Sequence, residues 1–236
     1  MSDQKTIAAL KKEAALQALS FVKDGMLLGL GTGSTATFFV QALGQKVKDG
    51  LNVEGVPTSE DTRALALSLG IKIVDLPSDR PLDLTVDGAD EVEVGTLNLI
   101  KGLGGALLRE KIVACASAKM IVVVDESKLV NKLGSKAPVP VEIVQFGWQR
   151  TSERLKRFGG EPVLRLGKDG KPFITDGGNY ITDCRFAQIE HPGLLADDLA
   201  KVVGVVETGL FIGIASLVIA AKSDGVTQIE RPKLKV

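Results

Sequence analysis

The chain has 236 residues, enough to bury a core as one large domain or as one domain with a smaller companion. Lysine and arginine number 29, and aspartate and glutamate also number 29, so no overall field attracts nucleic acid or anionic lipid. The longest apolar stretch, residues 210–221, is much shorter than the roughly 20 residues that span a bilayer, and it is typical of a buried strand. We therefore expect no nucleic-acid or membrane partner.

The amino-terminal residues and the two cysteines indicate a cytoplasmic protein. Residues 1–5 lack the charged-then-apolar pattern of a secretory signal. Cys115 falls in an apolar helical run and Cys184 in a strand-like run, far apart in the sequence. We expect both to be small core side chains rather than a disulfide or nucleophiles.

Helices and short apolar strands alternate through the first part of the chain. Apolar residues at three- and four-residue spacing predict helices over 6–22, 35–47, 60–69 and 105–117. Short apolar runs predict strands over 26–30, 53–56, 71–74, 82–86 and 120–124. This alternation favours an α/β fold, with a parallel sheet that helices cover on both faces.

The pattern changes after Pro138 and Pro140. Strands are predicted over 139–144 and 162–166 and on both sides of Gly177-Gly178, and helices over 151–158 and 194–202. The strands look antiparallel, as in a small α+β domain, whereas the apolar segment after residue 208 and a hairpin at 223–225 resemble the first part again. The predicted boundaries are 1–135 plus 207–236 for one domain and 136–206 for an inserted one.

A glycine-rich turn joins the strand 26–30 to the following helix, with the sequence Gly31-Thr32-Gly33-Ser34-Thr35. Backbone N–H groups and three hydroxyls would surround the positive end of a helix dipole, which suits a phosphate. A turn that only caps the helix is the alternative. We name residues 31–35 the phosphate turn.

The glycine register argues against a nucleotide. A G-x-G-x-x-G pattern needs glycine at position 34 or 36, where Ser34 and Ala36 stand, and no Gly-Lys-Ser/Thr follows as in a Walker A loop. A nicotinamide oxidoreductase is therefore a weak alternative.

Two carboxylates follow the strand 82–86. Asp87 and Asp90 are separated by Gly88 and Ala89, at the strand end where open α/β sheets bind ligands. An ordinary Asp-Gly turn, or a magnesium site made of carboxylates, stays open as an alternative.

Glu110 lies in a helix that is apolar on nearly all sides, which predicts a buried glutamate. Burial raises the pKa of a carboxyl group toward the range useful to a general base. An ion pair, for example with Lys101, is the alternative.

Lys101 begins the segment Lys101-Gly102-Leu103-Gly104-Gly105, which we name the oxyanion loop, because a cation and free N–H groups at a helix start could bind an oxyanion. Lys128 follows the strand 120–124 and could reach a phosphate, or could be a surface lysine. His191 is the only histidine, which argues against a histidine metal site or a Ser-His-Asp triad. Acid–base chemistry would then fall to carboxylates and lysines.

Four motifs, in this order and over nearly the whole chain, resemble those of type A ribose-5-phosphate isomerases. They are Gly31-Thr32-Gly33-Ser34-Thr35-Ala36, Asp87-Gly88-Ala89-Asp90-Glu91, Lys101-Gly102-Leu103-Gly104-Gly105-Ala106 and Arg109-Glu110-Lys111. The resemblance implies conversion of ribose 5-phosphate to ribulose 5-phosphate in the non-oxidative pentose phosphate pathway, without a metal or cofactor.

The resemblance also implies roles for individual residues. Glu110 would move a proton between C1 and C2, and Asp87, Asp90 and Lys101 would contact the sugar hydroxyls and help to open the ring. The other residues expected at the substrate are Thr32, Gly33, Ser34, Thr35, Gly88, Ala89, Gly102, Leu103, Gly104, Lys128 and Lys11. A Rossmann-like open sheet with a smaller inserted α+β (ferredoxin-like) domain is implied, in a homo-oligomer of two or four chains.

Leu103 departs from the family pattern, which has glycine or arginine there in many relatives. Leucine restricts φ, so it limits the conformations open to the loop, although its N–H donors are kept. A non-catalytic sugar-phosphate sensor is the other alternative, but the chain has no basic stripe for DNA binding.

Overall fold

The computed structural model describes residues 6–231, so the predicted absence of a signal at residues 1–5 lies outside the described residues. Close contacts divide the chain into two compact units. The first contains residues 1–89, 109–129 and 214–236, and the second contains residues 90–108 and 130–213. Within the described part of the chain, no helix is long and apolar enough to cross a membrane.

The helices and strands follow the predicted order over most of the chain. The helices are α1 (Ile7–Leu19), α2 (Ser34–Lys48), α3 (Glu60–Ser68), α4 (Leu107–Cys115), α5 (Trp148–Leu155) and α6 (Pro192–Ala200), with short 3-10 helices at Glu126–Lys128 and Lys156–Phe158. The strands are β1 (Leu27–Leu30), β2 (Glu54–Pro57), β3 (Lys72–Ile73), β4 (Leu84–Asp87), β5 (Glu91–Glu93), β6 (Leu99–Ile100), β7 (Met120–Asp125), β8 (Leu129–Val130), β9 (Val139–Ile143), β10 (Glu161–Leu164), β11 (Tyr180–Arg185), β12 (Val205–Thr208), β13 (Leu210–Phe211), β14 (Leu217–Lys222) and β15 (Gly225–Glu230).

The first unit is built on a seven-stranded sheet in the order β3-β2-β1-β4-β7-β14-β15. Every neighbouring pair is parallel except the hairpin of β14 and β15. This confirms the predicted α/β class with its Rossmann-like sheet. The strand order reverses direction between β1 and β4, and the crevice outside the carboxyl ends of such strands is where open α/β sheets bind ligands.

Both faces of this sheet are covered by apolar side chains. Ala14 of α1 and Phe39 of α2 are fully buried in a core that also contains Leu28 of β1. Leu27, the preceding residue, belongs to a smaller core on the opposite face together with Val113 of α4. Successive side chains of a strand point to opposite faces, so β1 is buried on both sides and its end is fixed in position.

The second unit contains two four-stranded sheets, in the orders β10-β11-β9-β12 and β13-β6-β5-β8. The first of these is antiparallel throughout. With α5 and α6 it follows the chain order strand-helix-strand-strand-helix-strand, which is the ferredoxin-like arrangement predicted for the smaller domain.

Three predictions about local structure are wrong. Residues before Gly177 form no strand, because Pro172 lacks an N–H donor and makes only an isolated bridge with Leu166. The apolar run 210–221 is two strands rather than one, since β13 pairs with β6 and β14 pairs with β7. Cys184 is buried as predicted, but Cys115 is exposed at the end of α4.

The predicted domain boundaries differ from the two compact units. Residues 90–108 were expected in the first domain, whereas they fall in the second unit because β5 pairs with β6, and β6 pairs with β13. Residues 130–135 and 207–213 also fall in the second unit. The boundaries 1–135 plus 207–236 and 136–206 stay a prediction.

Candidate active site

The phosphate turn passes directly across the end of β4 in the first unit. The N–H group of Gly31 donates to the carbonyl oxygen of Val86 at 3.0 Å, which extends the pairing of β1 with β4. A Cβ atom at Gly31 would lie 2.3 Å from Oδ1 and 2.5 Å from Cα of Asp87. Only glycine lets the two backbones approach this closely.

Asp87 is a fully buried carboxylate at the last position of β4. Its Oδ1 accepts hydrogen bonds from the N–H groups of Thr32, at 3.1 Å, and of Gly88, at 2.7 Å. Two N–H donors on one oxygen fix the orientation of the carboxylate. Asp87 is therefore held by the phosphate turn, and the half-buried Gly88 and Ala89 follow it.

Helix α2 begins at Ser34, so its first N–H groups have no partner within the helix. The ammonium group of Lys11, on α1, donates to the hydroxyl of Ser34 at 2.9 Å. A cation at the positive end of a helix dipole is unfavourable by itself and becomes favourable when an anion binds there. Lys11, Ser34 and the buried Thr35 therefore form a site suited to a phosphate.

The hydroxyl of Thr32 belongs to a cluster beneath the turn. It lies 2.7 Å from the hydroxyl of Thr58, 2.8 Å from that of Ser59 and 3.2 Å from that of Thr62. Thr62 in turn donates to the carbonyl oxygen of Gly31 at 3.0 Å. Sequence reasoning missed Thr58, Ser59 and Thr62, although Thr58 and Ser59 follow strand β2 at the same edge of the sheet.

Glu110 is 3 % exposed, which confirms the predicted burial of this glutamate. Its helix is less buried than predicted, since Ile112 is 47 % exposed. The neighbouring Arg109 makes an ion pair of 2.7 Å with Glu60 of α3, and this hydrogen bond lowers the pKa of the Glu60 carboxyl. Val113 packs in the core beside β1. These contacts of Arg109 and Val113 fix the rotation of α4 and keep Glu110 inside.

Lys128 ends the short 3-10 helix that follows β7 and is partly exposed. The side chain of Asp125 caps this turn by accepting from the N–H group of Ser127 at 3.0 Å. Lys11, the phosphate turn, Asp87, Glu110 and Lys128 all belong to the first unit.

The second unit brings Asp90, Lys101 and the oxyanion loop together. Lys101 is 2 % exposed, and its ammonium group lies 5.5 Å from the centre of the Phe211 ring, a cation–π contact. The carboxylate of Asp90 accepts from the N–H group of Leu103 at 2.9 Å. This hydrogen bond joins Asp90 to the oxyanion loop, which begins at the buried Lys101.

Leu103 fits the loop without strain. Among the described residues other than glycine, only Leu97 has a positive φ, so Leu103 adopts an ordinary backbone conformation. Its side chain is 44 % exposed, and Gly104 beside it is also exposed. Leucine is therefore compatible with this loop, because Gly102 and Gly105 supply the positive φ angles.

Glu91 follows Asp90 but has a structural role. It is fully buried and accepts from the N–H groups of Gly134 and Ala137, each at 2.7 Å, and from that of Lys136. The carboxylate thus holds the turn 134–137 in the second unit. Across residues 6–231 no group of three or more His, Cys, Asp or Glu side chains is arranged to bind a metal ion.

Comparison with known proteins identifies the family. A family profile described as Ribose 5-phosphate isomerase A (phosphoriboisomerase A) matches residues 54–225. Ribose-5-phosphate isomerase A of Gloeobacter violaceus is 54% identical over 92% of this chain and 94% of its own length, and that of Gluconobacter oxydans is 51% identical over 93% and 96%.

Solved structures agree with this assignment. A D-ribose-5-phosphate isomerase in complex with phospho-erythronic acid superposes with a TM-score of 0.93 at 43% identity, covering 96% of this chain and 100% of that chain. Ribose 5-phosphate isomerase A of Methanocaldococcus jannaschii gives a TM-score of 0.91 at 41% identity, covering 95% and 100%. The chain therefore belongs to the ribose 5-phosphate isomerase A family and is an aldose–ketose isomerase.

Proposed function

We propose that this isomerase interconverts D-ribose 5-phosphate and D-ribulose 5-phosphate through an enediolate, as a step of the non-oxidative pentose phosphate pathway. The observation that carries the proposal is Glu110, a carboxylate that is 3 % exposed and lies in the same unit as the anion site at the start of α2. A buried carboxylate is suited to proton transfer at carbon, and the anion site is suited to the phosphate that orients the sugar.

Glu110 acts first as base and then as acid. Its carboxylate removes the proton from C2 of the open-chain aldose, and the C2–H electron pair forms the C1–C2 double bond while negative charge moves to O1. The protonated Glu110 then returns the proton to C1, and the O2 proton passes to O1, which leaves the ketone at C2. Base catalysis accelerates the reaction by roughly 10² to 10⁴, so the enzyme also needs hydrogen-bond donors that stabilise the oxyanion.

The oxyanion loop stabilises this oxyanion. The N–H groups of Gly102 and Gly104, with the ammonium group of Lys101, stabilise the negative charge of the enediolate, whereas the N–H group of Leu103 is bound to Asp90. Asp87 and Asp90 bind the sugar hydroxyls and help to open the ring. Because Asp90 is hydrogen-bonded to the backbone of Leu103, binding at this acid also orders the loop.

The phosphate of the substrate binds at the start of α2. Backbone N–H groups of residues 33–35, the hydroxyls of Ser34 and Thr35, and the ammonium groups of Lys11 and Lys128 hold it. The turn backbone at Gly88 and Ala89 completes the contacts with the sugar. A relative that is 43% identical to this chain was solved with phospho-erythronic acid, a ligand that also carries a phosphate.

The test is direct. The purified protein is incubated with ribose 5-phosphate and a chelator, with no nucleotide added, and ribulose 5-phosphate is followed. Product is expected, because no step above uses a metal or a cofactor. An enzyme that needs a metal or a nicotinamide, or a protein that binds the sugar without turnover, would contradict the proposal.

We also propose a homo-oligomer, of two or four chains, that works in the cytoplasm. Support for the oligomer comes from large apolar side chains on the surface of the second unit, among them Phe146 at 94 %, Val203 at 77 % and Val163 at 65 % exposure. The free thiols of Cys115 and Cys184 suit a reducing compartment. Sedimentation equilibrium of the native protein tests the assembly, and a mass of one chain would contradict it.

A further inference from the structure

Arg165, in the second unit, holds the oxyanion loop by its backbone. The Nη1 atom of Arg165 donates to the carbonyl oxygen of Gly102 at 2.8 Å and to that of Leu103 at 3.1 Å. The arginine side chain is only 12 % exposed, so water competes little for these hydrogen bonds. Both bonds are charge-assisted and reach two consecutive peptide groups of the loop.

The guanidinium group is itself fixed in place. Its Nε atom donates to Oδ2 of Asp183 at 2.9 Å, and its Nη2 atom donates to Oδ1 of the same carboxylate. Asp183 lies on β11, whose Ile181 carbonyl oxygen accepts from the N–H group of Arg165 at 2.8 Å. A two-pronged pair of this kind fixes the plane of the guanidinium and leaves Nη1 directed at the loop.

A second contact steadies the other end of the loop. A Cβ atom at Gly105 would lie 2.4 Å from Cζ of Phe173, so the ring rests directly on the backbone of Gly105. The guanidinium carbon of Arg165 lies 5.9 Å from the centre of the same ring, and the N–H group of Phe173 donates to the carbonyl oxygen of Arg165 at 2.9 Å. Arg165 and Phe173, which are hydrogen-bonded to each other through their backbones, thus hold both ends of the oxyanion loop.

We propose that Arg165 is a positioning residue of the isomerisation, which orients the backbone of the oxyanion loop and polarises the peptide whose Gly104 N–H group binds the oxyanion. The inference rests on the proposed function, in which N–H groups of this loop stabilise the enediolate. A cation at a peptide carbonyl withdraws electron density and makes the N–H of the same peptide a stronger donor. The two peptides whose carbonyls Arg165 holds carry the N–H groups of Leu103 and Gly104. The first N–H group donates to Asp90, and the second is the oxyanion donor that Arg165 would polarise.

The test compares Arg165→Met, Arg165→Lys and Asp183→Asn with the control Arg185→Met, which removes an exposed arginine from the same strand as Asp183. We expect Arg165→Met to lower kcat about 10-fold to 100-fold, since a misplaced or weakened oxyanion donor costs this order of rate. The KM for ribose 5-phosphate and the Kd for inorganic phosphate should change little, because the phosphate contacts belong to the first unit. As a single substitution, Asp183→Asn should lower kcat. Combined with Arg165→Met it should cause little further loss, because Asp183 acts through the arginine.

The outcomes separate a positioning role from a merely structural one. Circular dichroism and the melting temperature report the folded fraction, to which every kcat is referred. If Arg165→Met does not fold, Arg165→Lys decides, because it keeps the charge and loses the two-pronged geometry; a reduced kcat with unchanged KM supports the proposal. A wild-type kcat in the folded variants, or an effect on KM alone, overturns it. Absence of isomerase activity in the unaltered protein would refute the proposed function instead.

Discussion

The N–H group of Thr32 donates to the carboxylate of Asp87 at 3.1 Å, so the phosphate turn and the first acid of the site are one hydrogen-bonded structure. The turn follows β1 and the acid ends β4, the two strands between which the sheet order reverses. A change that displaces the turn must therefore displace Asp87 as well. The turn is the proposed phosphate site and Asp87 a proposed sugar contact, so we expect phosphate binding and sugar binding to be coupled.

Gly31→Ala tests this coupling. The added Cβ atom would lie 2.3 Å from Oδ1 of Asp87, and such overpacking costs about 1–3 kcal/mol of stability. We expect a lower melting temperature, a higher Kd for inorganic phosphate and a lower kcat together. Gly193→Ala, in α6, is the control, because its Cβ atom would meet only Cγ2 of Ile212, at an ordinary distance of 3.7 Å. Normal kinetics in Gly31→Ala would show that the close approach is dispensable.

Glu110→Gln separates chemistry from binding. The amide has nearly the shape of the carboxylate but does not accept a proton, so kcat should fall by about 10² to 10⁴ or more. Calorimetric titration with phospho-erythronic acid should give an affinity close to that of the unaltered protein. Glu153→Gln, which changes an exposed glutamate of α5, should leave turnover intact. Near-normal turnover in Glu110→Gln would remove this residue from the mechanism.

Lys11→Met is expected to act on binding. Loss of a charge-assisted contact at the helix start is worth about 1.5–3 kcal/mol, so the KM for ribose 5-phosphate should rise roughly tenfold or more. The neighbouring Lys12 is exposed, and Lys12→Met is the matched control. Steady-state kinetics at two salt concentrations check the result. An unchanged KM in Lys11→Met would contradict a role for Lys11 and would indicate that the phosphate turn and Lys128 bind the phosphate without it.

The two thiols should react very differently. Burial and the nearby Asp183 raise the pKa of the Cys184 thiol to about 12, whereas Cys115 is exposed. Because the thiolate is the reactive form, Cys184 stays protonated and inert through pH 10 in the folded protein. Mass spectrometry after iodoacetamide treatment should find one label, on Cys115, and a second only after unfolding. Labelling of Cys184 in the native protein would contradict its burial.

The sequence predicts those parts of the site that depend on local patterns. Apolar spacing was sufficient to predict that Glu110 is buried, and the strand-turn-helix pattern located the phosphate turn. The same reasoning wrongly predicted that Cys115 is buried. Whether an apolar residue at a helix end is covered depends on tertiary packing, which the local spacing does not specify. An excess of apolar residues around a helix indicates burial on average and does not specify which turn faces solvent.

Other features depend on residues that are distant in sequence. Thr58 and Thr62 lie beneath the phosphate turn, about 30 positions after Thr32, and only the pairing of β1 with β2 brings them there. The strands β5, β6 and β13 are two or three residues long, too short for a periodic signal. Arg165 and Asp183 belong to a hairpin whose sequence gives no sign that it reaches the oxyanion loop.

The path of the chain between the two units limits how this protein can be divided. The backbone passes from one unit to the other at 89/90, 108/109, 129/130 and 213/214. Three of these junctions lie within two residues of positions that we propose to act on the substrate, namely Ala89 and Asp90, Glu110, and Lys128. Neither unit is encoded by one continuous stretch, so a fragment such as 136–206 would lack β5, β6 and β13. We therefore expect recombination or truncation at a domain boundary to abolish enzymatic activity, whereas exchange of the whole gene would preserve activity.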